Sequence, residues 1–127
     1  MSNLRYIAPV LRVADLRRSL SYYRERLGFD VEFNYGGFYA CVARDGCRIH
    51  LKESNPPERD ASAFETAEHL DVCLGVADAQ ALATQFAAAG VGFSVPLRSM
   101  DYGEEFYVRD PDGYILGFVQ ARSPEKT

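Results

Sequence analysis

Val108-Arg109-Asp110-Pro111-Asp112-Gly113-Tyr114-Ile115-Leu116-Gly117-Phe118 reads as strand, tight turn, strand. Proline pre-sets φ and glycine is free to take positive φ, so Asp-Pro-Asp-Gly is a turn signal with a mechanism. The apolar run behind it is the returning strand. A fainter copy lies upstream at Cys41-Val42-Ala43-Arg44-Asp45-Gly46-Cys47-Arg48-Ile49-His50-Leu51. Asp45-Gly46 and Asp112-Gly113 mark the two hairpins at an offset of 67 residues. Further out, Val13-Ala14-Asp15 matches Val76-Ala77-Asp78 at an offset of 63, and Tyr23 matches Phe86 at the same offset. The difference falls in loops, so the chain reads as a doubled unit.

Each half carries the same order of elements. Residues 6–13 alternate as a strand with Ile7, Pro9, Leu11 and Val13 on one face. Asp15 then caps a helix in which Leu16, Leu20, Tyr23 and Leu27 recur at helical spacing, and Gly28 ends it. Strands are expected at residues 29–33, 38–42 and 47–52, with Gly36-Gly37 as a turn. In the second half residues 70–77 alternate, Asp78 caps a helix containing Leu82 and Phe86, and Gly90 closes it. Strands follow at 93–97, 105–109 and 114–120, with a loop at 98–103. Residues 55–60 break every pattern and read as a linker.

These signals predict one α+β domain over residues 1–127, with module one at about 4–54, a linker at about 55–67 and module two at about 68–121. The tail from residue 122 on is polar and expected to fray. A unit of about 55 residues buries too little surface to be secure alone, so the two modules should complete one another, within a chain or between chains.

Composition narrows the function. With 47% hydrophobic and 25% charged residues, the chain resembles an ordinary soluble protein. A net charge of −4 without a Lys/Arg run argues against nucleic-acid binding. Three cysteines without metal-site spacing suggest reduced thiols. No leader pattern and no apolar run of about 20 residues are visible, so a cytoplasmic protein without a membrane span is expected. Many of the eight Tyr and eight Phe must be core, and for any single one ordinary packing is the alternative to a ligand contact. Tyr23, Phe86, Phe106 and Phe118 fit core positions, whereas Tyr35, Phe38, Tyr39, Tyr102 and Tyr107 lie near loops or strand starts. Aromatic walls with few polar anchors suit a flat or amphipathic small molecule.

Val13-Ala14-Asp15-Leu16, Ser19-Leu20-Ser21-Tyr22-Tyr23 and Leu27-Gly28-Phe29, taken with Asp110-Pro111-Asp112-Gly113, carry a resemblance. Together they resemble the vicinal oxygen chelate superfamily, which includes glyoxalase I, extradiol dioxygenases and bleomycin-resistance proteins. Residues 38–51 and 104–113 are most similar to its bleomycin-resistance branch. The resemblance implies two βαβββ modules forming a curled mixed sheet around a cavity, completed by dimerisation as a homodimer.

It also implies where metal ligands would stand in the metalloenzymes of the family: seven residues before the capping Asp and four after the hairpin Gly. Those positions are Ala8 and His50 in the first module, Asp71 and Gly117 in the second. Ala and Gly have no donor atom, and a divalent catalytic centre normally takes three or more protein ligands. Loss of the metal, with no cofactor, is therefore expected; His69, two residues before Asp71 and on the same face but at or before the strand's start, is the candidate replacement.

The leading reading is a metal-free small-molecule-binding protein, possible ligand contacts being Arg12, Tyr39, Arg48, His50, Asp71, Tyr102 and Tyr107. Strand alternation puts Ile49 and Leu51 on one face and Arg48, His50 and Lys52 on the other. The rival is a lyase or dioxygenase-type enzyme using a metal, or His50 and Asp71 as acid and base. A third reading is a structural or regulatory partner with a vestigial cavity. Cys41, Cys47 and Cys73 lack an activating neighbour in sequence and read as small packing residues.

Overall fold

The computed structural model describes residues 1–122. Its contacts divide the chain at Pro57/Glu58 into two units, each described by itself. In the first, β1 (Val10–Val13), α1 (Leu16–Glu25), β2 (Asp30–Tyr35), β3 (Tyr39–Arg44) and β4 (Cys47–Glu53) form a four-stranded sheet of order β1-β4-β3-β2. In the second, a short helix α2 (Ala61–Thr66) precedes β5 (Val72–Gly75), α3 (Ala79–Ala88), β6 (Phe93–Met100), β7 (Gly103–Arg109) and β8 (Ile115–Ala121). Its sheet has the matching order β5-β8-β7-β6.

The doubled pattern survives at the level of single residue pairs. β1 runs parallel to β4 with Val10 opposite His50, and β5 runs parallel to β8 with Cys73 opposite Gly117. These pairs differ by the same offsets, 63 and 67, that align the two halves of the sequence.

Both long helices begin as their caps require. An Asp15 carboxylate oxygen accepts the Arg18 N–H at 3.1 Å, and Asp78 accepts the Ala81 N–H at 3.0 Å. Behind the first sheet α1 buries Leu16 and Tyr23 against Val13, Ile49 and Leu51, with Tyr23 edge-on to Phe29 at 5.8 Å. Behind the second, Phe86 packs on Phe106 and Phe118, whose rings stack at 5.1 Å. Each such side chain, fully buried, contributes roughly 1.5–3 kcal/mol.

The opening hairpin is a closed network. Asp110 Oδ1 accepts the N–H groups of Asp112 and Tyr114, both at 2.9 Å, while the Gly113 N–H donates to the Asp110 carbonyl. Its upstream copy turns through Asp45 (φ 52°) and Gly46 (φ 79°), two successive positive φ values that suit a two-residue hairpin.

Several boundaries differ from expectation. The first strand starts at Val10 rather than at residue 6, and Ile7, which alternation puts on one face with Leu11 and Val13, is exposed while those two are buried. Proline at position 9 has no N–H for the ladder, although its carbonyl still accepts from His50. The loop expected at 98–103 is mostly strand, because bulges between Phe93, Val95 and Arg98 absorb Pro96 and let Arg98 pair with Glu105. Within the 55–67 stretch, Asp60 caps α2 through the Ala63 N–H. Arg122, placed in the frayed tail, is bonded to the Met100 carbonyl and to Ser99 Oγ. The rest of that tail lies outside the described residues.

Candidate functional site

On the first sheet, the face away from α1 gathers rings. β4 presents Arg48, His50 and Lys52 there, since Ile49 and Leu51 are buried on the helix side. Cys41 stands opposite His50, and Tyr39 opposite Lys52. The Tyr39 hydroxyl lies 2.8 Å from His50 Nδ1. Around the imidazole stand Phe33 at 5.6 Å and Tyr39 at 5.5 Å, both nearly perpendicular to it, and Tyr6 at 6.1 Å. Phe33 and Tyr39 are parallel to each other within 6°. His50 Nε2 is buried and, among the described residues, has no hydrogen-bond partner.

Arg48 closes one side of the cluster. It makes a two-oxygen contact with Glu32 at 2.9 and 3.1 Å and lies 4.5 Å from the Tyr6 ring centre. The Glu32 carboxylate pushes the Arg48 guanidinium pKa up. Arg12, exposed on β1 opposite Lys52, shares this face. Cys41 is buried among these groups, and burial pushes its thiol pKa up, as a buried packing residue should behave. Cys47 and Cys73, given the same packing role by sequence, are instead exposed.

A cavity of about 480 Å³ lies elsewhere in this unit, between α1 and the β2–β3 turn. Its walls include Arg17, Arg24 and Glu53 but no ring, and Glu53 is engaged in capping the Leu16 N–H at 2.9 Å. The aromatic face is therefore the better candidate.

The matching face of the second sheet is occupied by its own chain. Val95, Tyr107 and Ile115 form a buried cluster on which Phe64 and Leu70 pack. A Cβ added at Gly117 would meet the Leu70 methyls at 2.7 and 2.8 Å. Three arginines pin this covering segment. Arg59 holds both oxygens of Asp71 at 2.7 and 2.8 Å, Arg98 bridges Glu68 and the buried Glu105, and Arg109 pairs with Glu65. Asp71 also accepts the Ile115 N–H at 2.7 Å.

Tyr107 donates to Glu105 at 3.3 Å, and burial pushes its phenol pKa up. Tyr102, at the β6–β7 turn and half exposed, hydrogen-bonds Glu105, which pushes its pKa up to about 12.

Of the residues singled out by sequence, Arg12, Tyr39, Arg48 and His50 thus share one face of the first sheet. Asp71, Tyr102 and Tyr107 belong to the second unit, and the latter two converge on Glu105. Sequence reading missed Tyr6, Phe33 and Glu32. Phe33 and Tyr35 do stand two apart on a strand, a legible signal, but the bulge between Val31 and Phe33 that sets their facing is not. His69 is exposed and packs on Phe64.

This donor set does not suit a metal ion. Ala8 and Gly117 offer no side-chain donor and both oxygens of Asp71 are held by Arg59, which leaves His50 Nε2, among the described residues, as the one uncommitted donor atom at the four positions. No group of three or more His, Cys, Asp or Glu among the described residues is placed to hold an ion. Nor is any described helix long and apolar enough to cross a membrane.

The family model of the glyoxalase/bleomycin resistance protein/dioxygenase superfamily matches residues 4–118. No curated protein sequence matches the chain. Among solved structures, it is similar to the bleomycin-binding protein of bleomycin-producing Streptomyces verticillus, complexed with copper(II)-bleomycin. The TM-score is 0.71 and the identity 25%, over 96% of this chain and 100% of that one. TnmS3, an antibiotic-binding protein from Streptomyces sp. CB03234, gives a TM-score of 0.73 at 21% identity, over 96% of this chain and 99% of that one. UcmS2 gives 0.74 at 22%, over 94% and 100%. At such identities the likeness is one of fold.

Proposed function

The chain belongs to the glyoxalase/bleomycin resistance protein/dioxygenase superfamily, and on that premise we propose that it is a metal-free, homodimeric protein that captures a small aromatic compound. The observation that carries this reading is the ring cluster of Tyr6, Phe33, Tyr39 and His50 on the first sheet. Rings supply large contact area at low entropic cost, and a few polar atoms then orient the ligand. Tyr35, at 69% exposure and with its ring 5.8 Å from that of Phe33, extends the apolar surface beside the cluster.

Two lines of support come from proteins of the same fold and from the donor atoms. Proteins of this fold include a bleomycin-binding protein and an antibiotic-binding protein, so drug-like organic compounds are the ligand class to test. Capture without a resident metal is supported by the missing donors at Ala8 and Gly117 and by the engaged carboxylate of Asp71. An acid–base enzyme would need Asp71 as a free carboxylate, yet both its oxygens are held by Arg59.

Isothermal titration tests the proposal with copper(II)-bleomycin and a set of flat aromatic antibiotics, and separately with Ni²⁺, Zn²⁺, Fe²⁺ and Mn²⁺ alone. The expected result is saturable binding of at least one organic compound and no tight, stoichiometric metal uptake. Stoichiometric uptake of a metal ion would overturn the metal-free reading. Light scattering reads the dimer: a monomeric mass would remove that part of it.

A further inference from the structure

We propose that this site selects ligands by an oxygen acceptor, with His50 Nε2–H as the donor and the Tyr39 hydroxyl fixing that tautomer. The inference rests on the capture reading and narrows it to aromatic compounds that carry a ring carbonyl, such as quinones and aryl ketones.

The argument starts at the 2.8 Å contact between the Tyr39 hydroxyl and His50 Nδ1. A neutral imidazole has one N–H and one bare nitrogen, and which is which follows from the partners of each. If Nδ1 carried the proton, it would donate to a phenol oxygen whose lone pair is partly drawn into the ring. The phenol's own hydrogen would then need a second acceptor, and Tyr39 has none among the described residues. If the phenol donates to a bare Nδ1, both groups are satisfied by one short bond. The single imidazole proton then resides on Nε2.

Nε2 is the atom left buried without a protein partner. A buried donor with no acceptor is unfavourable, so the site is arranged to gain when a ligand supplies one. A ligand donor, an amine or ammonium, would instead face this N–H and be rejected. The surroundings define the rest of the ligand. Phe33 and Tyr39 are parallel within 6° and stand at 77° and 81° to the imidazole, so apolar rings frame the polar atom. Arg48 is already matched by Glu32 and covered by Tyr6, so its charge is engaged within the protein.

The test compares anthraquinone-2-sulfonate with anthracene-2-sulfonate, which share ring frame and charge and differ in the two carbonyl oxygens. The quinone should bind about tenfold more tightly, the worth of one hydrogen bond. In His50→Phe the ratio should fall to about one, and in Tyr39→Phe it should shrink because the tautomer is no longer held. Circular dichroism confirms that each variant is folded. Long-range ¹⁵N–¹H correlation of the free protein at mildly alkaline pH should report the Nε2–H form of His50. An Nδ1–H form overturns the proposal whatever the ligands do. Equal affinity for both compounds overturns it while leaving capture intact. Binding of neither compound, while another flat aromatic antibiotic still binds, overturns the proposal and leaves capture intact; if no organic compound binds, both fall.

Discussion

His50 and Gly117 stand at matching positions, each four residues past the glycine of its hairpin and each on a strand paired in parallel with the first strand of its module. Around His50 the sheet face carries Tyr6, Phe33 and Tyr39. Around Gly117 the same face is filled by Leu70 and Phe64 from the segment that leads into β5. Tyr39 and Glu105 likewise match, lying opposite Lys52 and Val119 in the two β-ladders. Tyr39 orients a histidine; Glu105 is buried under Arg98 and anchors the covering segment through it.

Seven of the eight large hydrophobic side chains exposed among the described residues belong to the first unit, Tyr102 being the exception. Repetition has kept the backbone pairing and released the side-chain faces. One face is sealed by ion pairs and a leucine, and the other keeps its rings and an unpartnered imidazole nitrogen.

The sharpest break in this comparison is tested at Glu105 and Tyr39. Glu105→Gln removes the carboxylate facing Arg98 in a buried setting and should cost about 2–3 kcal/mol in urea unfolding. Tyr39→Phe removes one half-buried hydroxyl and should cost about 1 kcal/mol. Equal losses would mean that the two faces are not built for different ends.

A smaller effect is expected at Gly117. Gly117→Ala pushes a methyl into the Leu70 side chain, whose methyl ends can shift, so destabilisation of about 1 kcal/mol is expected. Leu70→Ala should relieve that clash, making the double variant less damaged than the two single losses predict. Strict additivity would show that Leu70 does not occupy the ligand position.

The mildest signature is in alkali. Tyr102 has its pKa raised from 10.0 to about 12 by Glu105, so its hydrogen-bonded neutral form favours the folded state. That contribution is complete below the ordinary value and is lost as pH climbs through about 12. Tyrosinate absorbance, with Tyr102→Phe as reference, should place its ionisation near that upper value, and Glu105→Gln should return it toward 10.0. An unshifted Tyr102 in the native protein would remove Glu105 as its partner.

Local chemistry is what made the fold readable. Asp15 and Asp78 cap helices, the two Asp-Gly turns close hairpins, and apolar spacing assigns Tyr23 and Phe86 to the cores. Alternation also assigned Arg48 and His50 to the face away from the helix. Each of these is decided within a few residues along the chain, where sequence and geometry are tightly coupled. Gly117, lacking a donor atom, argued against inherited metal chemistry on identity alone.

What only the tertiary structure decided depends on residues far apart in sequence. Asp71 could be read as a candidate acid, but Arg59 and the backbone of Ile115 hold it as a structural anion. Tyr107 could be read as a ligand contact, but it is buried under a segment whose register rests on three arginine pairs. Bulges in β2 and β6 shifted which side chains face which way, since one extra residue reverses the alternation beyond it. The ring-lined face around His50 and the leucine-filled one around Gly117 therefore follow from long-range packing, which spacing along a single chain does not encode.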